Sequence, residues 1–153
     1  MGYRSDVLWV AIVPSIKEAN ECIKAYMVLT KLEQTQPPYP DDVKGVFVVD
    51  TQDDPAYITY VGREVKWYES SESVNFINNF FAEYVKEYFD VKDMSWGSRF
   101  FRVGEEHEDV EVEEYICERE TYSELLWESA SVVRYIESPF IDNYYHSIGI
   151  IPR

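Results

Sequence analysis

The sequence of 153 residues predicts a single α+β domain, with two helices on one face of a ferredoxin-like antiparallel sheet and extra strands near the C-terminus. Three observations lead to this prediction. Strand-like and helix-like segments follow one another in the order β-α-β-β-α-β-β, with one more strand after them. Each helical segment carries one apolar stripe, which a sheet face would cover. No linker, internal repeat or low-complexity tract divides residues 1–153.

The first strand and the first helix have the clearest patterns. Residues 6–13 read DVLWVAIV, and such an apolar, β-branched run is typical of a strand that is buried on both faces. Pro14 ends the strand. Ser15 and Glu18 then form a capping box, which indicates the start of a helix. Apolar residues recur every three or four positions until the helix is expected to end near Gln34.

A proline-rich surface loop is predicted for residues 35–42, because three prolines fall close together there. Three strand-like segments follow, at residues 43–50, 56–62 and 64–69. The last two are separated by Arg63 alone, so they are predicted to form one long strand with a bulge at Gly62.

The second helix is predicted to begin after the serine-rich segment 70–73. Its apolar stripe repeats at intervals of three and four and contains Val74, Ile77, Phe81, Tyr84, Val85 and Tyr88. Residues 99–106 and 109–116 are then predicted to be two strands. Residues 122–129 suggest a helical turn and residues 131–137 a further strand. The aromatic tail, residues 138–153, is expected to pack on the domain or on a partner.

The overall charge restricts the classes of partner. There are 14 basic and 29 acidic residues, which give a net charge of −15 and disfavour direct contact with nucleic acid. A basic protein or cations suit such a surface better. No segment approaches the roughly 18 apolar residues of a membrane span, and the N-terminus lacks a signal-peptide pattern. Cys22 and Cys117 form no paired motif, which indicates reduced thiols in a cytoplasm.

Motifs for catalysis or metal binding are missing from the sequence. The six glycines are not clustered, so no phosphate-binding loop is predicted. His107 and His146 lie in no nucleophile motif. The acidic segments 105–109 and 50–54 match the ligand pattern of a calcium loop only in part. We therefore predict no catalytic residue, no metal site and no cofactor.

The segment at residues 101–115 is unusual, because seven of its fifteen side chains are acidic. If it contains a strand, Val110, Val112 and Glu114 share one face, and the acids at positions 109, 111 and 113 face water about 6.6 Å apart on the other. That spacing is roughly two base-pair rises of DNA. Three interpretations stay open: a charged edge that prevents aggregation, a docking face for a basic protein, or a cation site.

Four segments together resemble a group of uncharacterised small acidic proteins of tailed bacteriophages. They are GYRSDV at residues 2–7, VKWYES at 65–70, RFFRVGEEHEDVEVE at 99–113 and SVVRYIE at 131–137. The resemblance covers most of the chain and implies an accessory protein in the cytoplasm of the bacterial host. By analogy with anti-restriction and anti-CRISPR proteins, some of which mimic DNA, it suggests an inhibitor of a host defence or nucleic-acid-handling protein.

On this hypothesis the protein is not an enzyme, and acids provide electrostatic steering while aromatic side chains provide close contacts. The predicted partner-binding residues are Glu105, Glu106, Glu108, Asp109, Glu111, Glu113, Glu114, Trp67, Tyr68, Trp127, Tyr144 and Tyr145. One alternative is a small-ligand or nucleotide-binding protein or enzyme, with a pocket where Arg4, Arg63, Arg99 or Arg102 meets aromatic residues. Another is a homodimer held together by the aromatic tail.

Overall fold

A computed structural model describes residues 3–30, 47–49, 55–68, 70–106, 109–117, 122–132 and 136–141. In these ranges five strands form one antiparallel sheet in the order β2-β3-β1-β4-β5. The strands are β1 (Ser5–Val13), β2 (Val48–Val49), β3 (Ala56–Val65), β4 (Gly97–Gly104) and β5 (Val110–Ile116). The predicted α+β class and the antiparallel sheet are therefore confirmed.

Strand β1 lies at the centre of the sheet and supplies both halves of the core. Residues 7–13 are at most 2% exposed, as the continuous apolar run predicts. The odd-numbered residues of β1 pack with buried residues of α1 (Ile16–Leu29), α2 (Glu72–Asn79) and α3 (Val85–Val91). The even-numbered residues pack with Phe101, Leu126 and Ile136 in a second cluster. Alternate side chains of one strand thus join two separate cores.

Helix α1 begins as its capping box predicts, because the backbone N–H of Glu18 donates to Ser15 Oγ at 3.2 Å. The helix ends at Leu29, earlier than the predicted end near Gln34. The carbonyl of Tyr26 accepts from both the backbone N–H of Thr30 at 3.0 Å and its hydroxyl at 2.8 Å, so Thr30 caps the end of the helix. The predicted loop at residues 35–42 and most of the predicted strand 43–50 lie outside the described residues.

Strand β3 is the predicted long, bulged strand, but the bulge follows Gly62 instead of lying at it. Val65 pairs with Ser5 and Gly62 pairs with Val7, so two residues of β3 oppose Asp6 alone. Glu64 has a φ of 52°. Its N–H donates to Asp6 Oδ1 at 2.9 Å. Two polar side chains therefore support the bulge, since Arg4 Nη1 also donates to the Glu64 carbonyl at 3.0 Å.

The second predicted helix is divided into α2 and α3 by a π-helical turn at Phe80–Tyr84. This turn was not predicted. Phe80 and Phe81 are adjacent in sequence, and yet both are completely buried. Both rings belong to the core cluster that these helices share with the odd-numbered residues of β1. The hydroxyl of Ser98 on β4 donates to the Phe81 carbonyl at 2.8 Å, so the irregular turn has a partner in the sheet.

Beyond β5 the chain forms α4 (Ser123–Glu128), β6 (Ser131–Val132) and β7 (Ile136–Glu137). The predicted helical turn is confirmed. The single strand predicted for residues 131–137 is wrong, because β6 and β7 are two short strands that pair with each other. Leu126 of α4 is fully buried in the second core cluster. Of the aromatic tail, only residues 138–141 are described.

Candidate functional site

Strand β5 carries most of the acidic segment and is the last strand in the order of the sheet. Its register pairs Arg102 with Glu111, Phe101 with Val112, and Arg99 with Glu114. Side chains that are directly opposite each other share a face of the sheet. Glu111 and Glu113 therefore lie on the face that carries Arg102, and Val110, Val112 and Glu114 lie on the face that carries Arg99. This division of the side chains is the one that the sequence predicts.

Arg102 gathers two of the acids. Its Nη1 and Nη2 atoms donate to the two carboxylate oxygens of Asp109 at 3.0 and 2.6 Å. Its Nε and Nη2 atoms donate to Glu111 Oε1 at 3.0 and 2.9 Å. Nη1 also donates to Ser5 Oγ at 3.1 Å. These hydrogen bonds favour the charged forms, so they lower the pKa of Asp109 and raise the pKa of Arg102.

Tyr3 joins the N-terminal segment to the turn between β4 and β5. Its hydroxyl donates to Asp109 Oδ2 at 2.7 Å and accepts from the N–H of Glu106 at 2.9 Å. The hydrogen bond to Asp109 raises the pKa of Tyr3. A side chain at Gly104 would overlap both the Asp109 carboxylate and the Tyr3 hydroxyl. A larger residue at position 104 would therefore displace these two polar groups from the positions in which they bond to each other.

The other face of the same edge is apolar and open. Val110 and Val112 are 38% and 43% exposed, and Trp127 of α4 is 69% exposed. Beside them Arg99 is only 8% exposed. Its guanidinium carbon lies 4.7 Å from the centroid of the Trp127 ring, and Nη1 donates to the Leu126 carbonyl at 3.3 Å. Glu114 forms an ion pair with Arg99, since its Oε2 lies 3.7 Å from Arg99 Nε.

The expected row of three acids facing water is not what the structure contains. Asp109 and Glu111 are half-buried and bound to Arg102, and only Glu113 of the three is exposed. Glu113 accepts from the hydroxyl of Tyr115 at 2.8 Å. Burial, together with this carboxylate, raises the pKa of Tyr115 to about 12. Arg102 neutralises part of the acidic strand, which charge counting along the sequence does not reveal.

The turn before β5 carries the other predicted acids. Glu105 and Glu106 are exposed, and Glu105 Oε1 accepts from the backbone N–H of Arg4 at 2.9 Å. Glu108 lies outside the described residues. Within the described ranges, no lysine or arginine forms an ion pair with Glu105, Glu106 or Glu113. The unpaired negative charge of the site is therefore concentrated on these three glutamates.

The predicted aromatic contacts are spread over different parts of the structure. Trp67 is half-buried, and its ring stacks at 5.6 Å on Tyr60 and at 6.2 Å on Phe100. Tyr68 is exposed next to it. Trp127 belongs to the opposite face, beside Arg99. Tyr144 and Tyr145 lie outside the described residues. Among the described residues, Trp127 thus lies on the Arg99 face of the β4–β5 pair, and Trp67 contacts Phe100 on the other face.

Tyr3 is a residue of this site that the sequence prediction missed, and Arg99 and Arg102 were predicted only as parts of the alternative ligand pocket, not as partners of acids on β5. A signal for the two arginines is present in RFFR, residues 99–102, because positions three apart on a strand point to opposite faces. Each arginine can then meet an acid on its own face of the next strand. No comparable local signal identifies Tyr3, since 106 residues separate it from Asp109.

Comparisons with protein-family models, with curated proteins and with solved structures each found no match. Among the described residues, no helix has the length and apolar character to cross a membrane. In the same part of the chain, no three or more histidine, cysteine or acidic side chains are grouped as metal ligands.

Proposed function

We propose that the protein is a non-enzymatic binding protein that docks onto a basic, nucleic-acid-handling or defence protein of a bacterial host and inhibits it. The observation that carries this proposal is that three glutamates of the acidic segment, Glu105, Glu106 and Glu113, are exposed and form no ion pair within the described residues, on a chain of net charge −15. Such a surface attracts a basic protein and increases its rate of association.

The hydrogen bonds around Asp109 support the proposal, because they hold the acidic surface in one shape. Arg102 ties the start of β5 to β4, and Tyr3 ties the preceding turn to the N-terminal segment. The turn also closes on itself, since the Asp109 N–H donates to the Glu106 carbonyl at 3.1 Å. A surface that is ordered before binding loses less conformational entropy when a partner docks.

The resemblance to bacteriophage proteins supports the kind of target and the compartment. An inhibitor of host defence, of the anti-restriction or anti-CRISPR type, acts in the host cytoplasm. Mimicry of DNA charge is the narrower form of this proposal. It relies on Glu105, Glu106 and Glu113, because Glu111 and Asp109 are engaged with Arg102.

We also infer that the fold is ferredoxin-like, with an added edge strand. Strands β1 to β4 are arranged in the order β2-β3-β1-β4, α1 follows β1, and the α2–α3 segment follows β3. Buried residues of α1, α2 and α3 belong to the same core cluster, which supports placing these helices on one face. On this inference β5 extends the sheet beyond β4 and presents the acidic segment at its edge.

The alternative is a small-ligand site at Arg99. The guanidinium of Arg99 lies against the rings of Phe101 and Trp127, and an arginine beside aromatic rings is the arrangement expected of such a site. Glu114 and the Leu126 carbonyl already take up part of its hydrogen-bonding and charge capacity, however. Arg102 directs its donors at Asp109, Glu111 and Ser5. Arg4 donates to a backbone carbonyl of the β3 bulge. These contacts favour the protein-docking proposal over a pocket for an anion.

The test compares two triple variants that each change the charge by the same amount. The site variant carries lysine at Glu105, Glu106 and Glu113, and the control variant carries lysine at Glu21, Glu72 and Glu87, which are exposed on helices. Each protein is used to capture partners from bacterial lysate at low and high salt. We expect the natural protein and the control to retain a basic nucleic-acid-handling protein at low salt.

Once the partner is purified, its association rate with each of the three proteins can be measured. The association rate with the site variant is expected to fall by about tenfold or more, because electrostatic steering is lost. Inhibition of the partner's activity is expected to weaken in parallel. Retention of the same proteins by both triple variants would show that the acidic edge is a solvated edge and not a docking face.

A further inference from the structure

Alternate residues of β5 direct their backbone hydrogen-bonding groups away from β4, toward the outer side of the strand. The Gly104 N–H donates to the Asp109 carbonyl at 2.8 Å, and the Cys117 N–H donates to the Trp96 carbonyl at 3.3 Å. Bonded and non-bonded pairs alternate along an antiparallel ladder, so the odd-numbered residues of β5 direct their backbone groups toward β4. The residues that direct them outward are Val110, Val112, Glu114 and Ile116.

In the described part of the chain no other strand pairs with this side of β5. The strand is seven residues long. An open edge of this length is a template for another strand. Its side chains differ between the two faces, since the exposed Val110 and Val112 lie on one face and Glu111 and Glu113 on the other.

We propose that β5 is extended by one strand from its partner, an extended segment in which apolar and basic residues alternate. The partner's basic character rests on the proposed function. The addition of a partner strand to β5 is what this inference adds. Residues opposite Val110 and Val112 would be apolar, because they continue the exposed apolar face. Residues opposite Glu111 and Glu113 would be lysine or arginine, because opposite charges on neighbouring strands attract. Main-chain hydrogen bonds supply affinity in this mode of recognition, and alternate side chains supply specificity.

A second copy of this chain fits the same edge poorly. If two β5 strands pair antiparallel about Val112, Glu111 of each copy lies opposite Glu113 of the other. Like charges directly opposite each other are destabilising. In this register the acids disfavour self-association and favour a basic strand, with the larger effect expected from Glu113, because Glu111 is already bound to Arg102.

The probe for this proposal is a capped eight-residue peptide in which lysine and valine alternate. Two modified peptides have the same charge and composition, and they differ only in which residues are N-methylated. In an antiparallel added strand, which is the orientation we propose, valines opposite Val110 and Val112 would direct their N–H groups at β5, whereas the lysine N–H groups would point away. Methylating the valines therefore blocks the added ladder, and methylating the lysines leaves it intact.

Binding at low salt is followed by NMR titration of the natural protein. We expect the valine-methylated peptide to bind about tenfold more weakly or worse than the parent, since several main-chain hydrogen bonds are lost. The lysine-methylated peptide is expected to bind like the parent. A Val112→Pro variant gives a second test, because it removes one outward N–H from an edge strand and keeps every charge. It is expected to weaken binding of the parent peptide.

Equal binding of the two methylated peptides would overturn strand addition, and so would the absence of binding by the parent peptide. Both results are distinguishable from failure of the proposed function. Capture of a basic host protein that depends on Glu105, Glu106 and Glu113 would remain under either of them, and docking would then be electrostatic without an added strand.

Discussion

Arg102 binds the carboxylate of Asp109 through both of its Nη atoms, at 3.0 and 2.6 Å, and thereby joins β4 to the residue that precedes β5. The same carboxylate accepts from Tyr3 at 2.7 Å. Asp109 thus lies where the N-terminal segment, β4 and the acidic strand meet. Bidentate pairs between arginine and a carboxylate are among the stronger hydrogen-bonded ion pairs in proteins, so the acidic edge should depend on this contact.

Replacing Arg102 by alanine is expected to lower the free energy of unfolding by about 1–3 kcal/mol, because the hydrogen bonds to Asp109 and Glu111 are lost and two carboxylates are left close together. Urea unfolding measures the change. The control is Lys17→Ala, which removes the same charge from an exposed helical position. Equal stability of the two variants would show that the Arg102 contacts contribute nothing beyond net charge.

The contribution of the Asp109 carboxylate to stability should depend on pH. Its pKa is lowered in the folded protein, chiefly by Arg102, so its stabilising contribution is present at pH values above the ordinary carboxyl pKa of about 3.9. The contribution is lost as the pH falls through the folded-state pKa. The stability difference between the natural protein and Asp109→Asn is thus expected to be constant near neutral pH and to shrink below about pH 4. Urea midpoints measured from pH 7 to pH 3 would contradict this assignment if the difference grew on acidification.

The contact between Ser98 and the π-helical turn should be stabilising. Ser98→Ala leaves the buried Phe81 carbonyl without its 2.8 Å hydrogen bond, and we expect a loss of about 1–2 kcal/mol. Thermal unfolding measures the loss, with Ser73→Ala in α2 as the control. A variant as stable as the natural protein would show that the π turn does not need its partner on β4.

The two helix caps provide a matched comparison. Ser15 accepts a hydrogen bond from the Glu18 N–H, whereas Ser71, which precedes α2, makes no such bond to its helix. We expect Ser15→Ala to cost about 1 kcal/mol and Ser71→Ala distinctly less. Chemical denaturation of both variants tests the difference. Equal losses would indicate that the Ser15 hydrogen bond contributes little to stability.

Local sequence patterns predict the secondary structure well where neighbouring residues alone determine it. The run at residues 6–13 forms the buried central strand, and Ser15 with Glu18 starts α1, because strand burial and capping depend on nearby residues. The π-helical turn has no such local origin. It fits Phe80 and Phe81 into one core, which requires the sheet to be present. The pairing of β6 with β7 was not predicted either, because apolar and polar residues alternate through residues 131–137 as they would in a single strand.

The candidate site likewise has features that the sequence predicts and features that depend on the tertiary structure. Composition and alternation are sufficient to predict an acidic strand with valines on one face and most acids on the other, because strand periodicity is a property of neighbouring residues. Which acids stay unpaired depends on the register of β4 against β5 and on the approach of Tyr3 across 106 residues. Those relationships arise from packing of the whole core, and no local pattern contains them. The sequence thus specifies how much charge the edge carries, and the fold determines that Glu105, Glu106 and Glu113 form no ion pair within the described ranges.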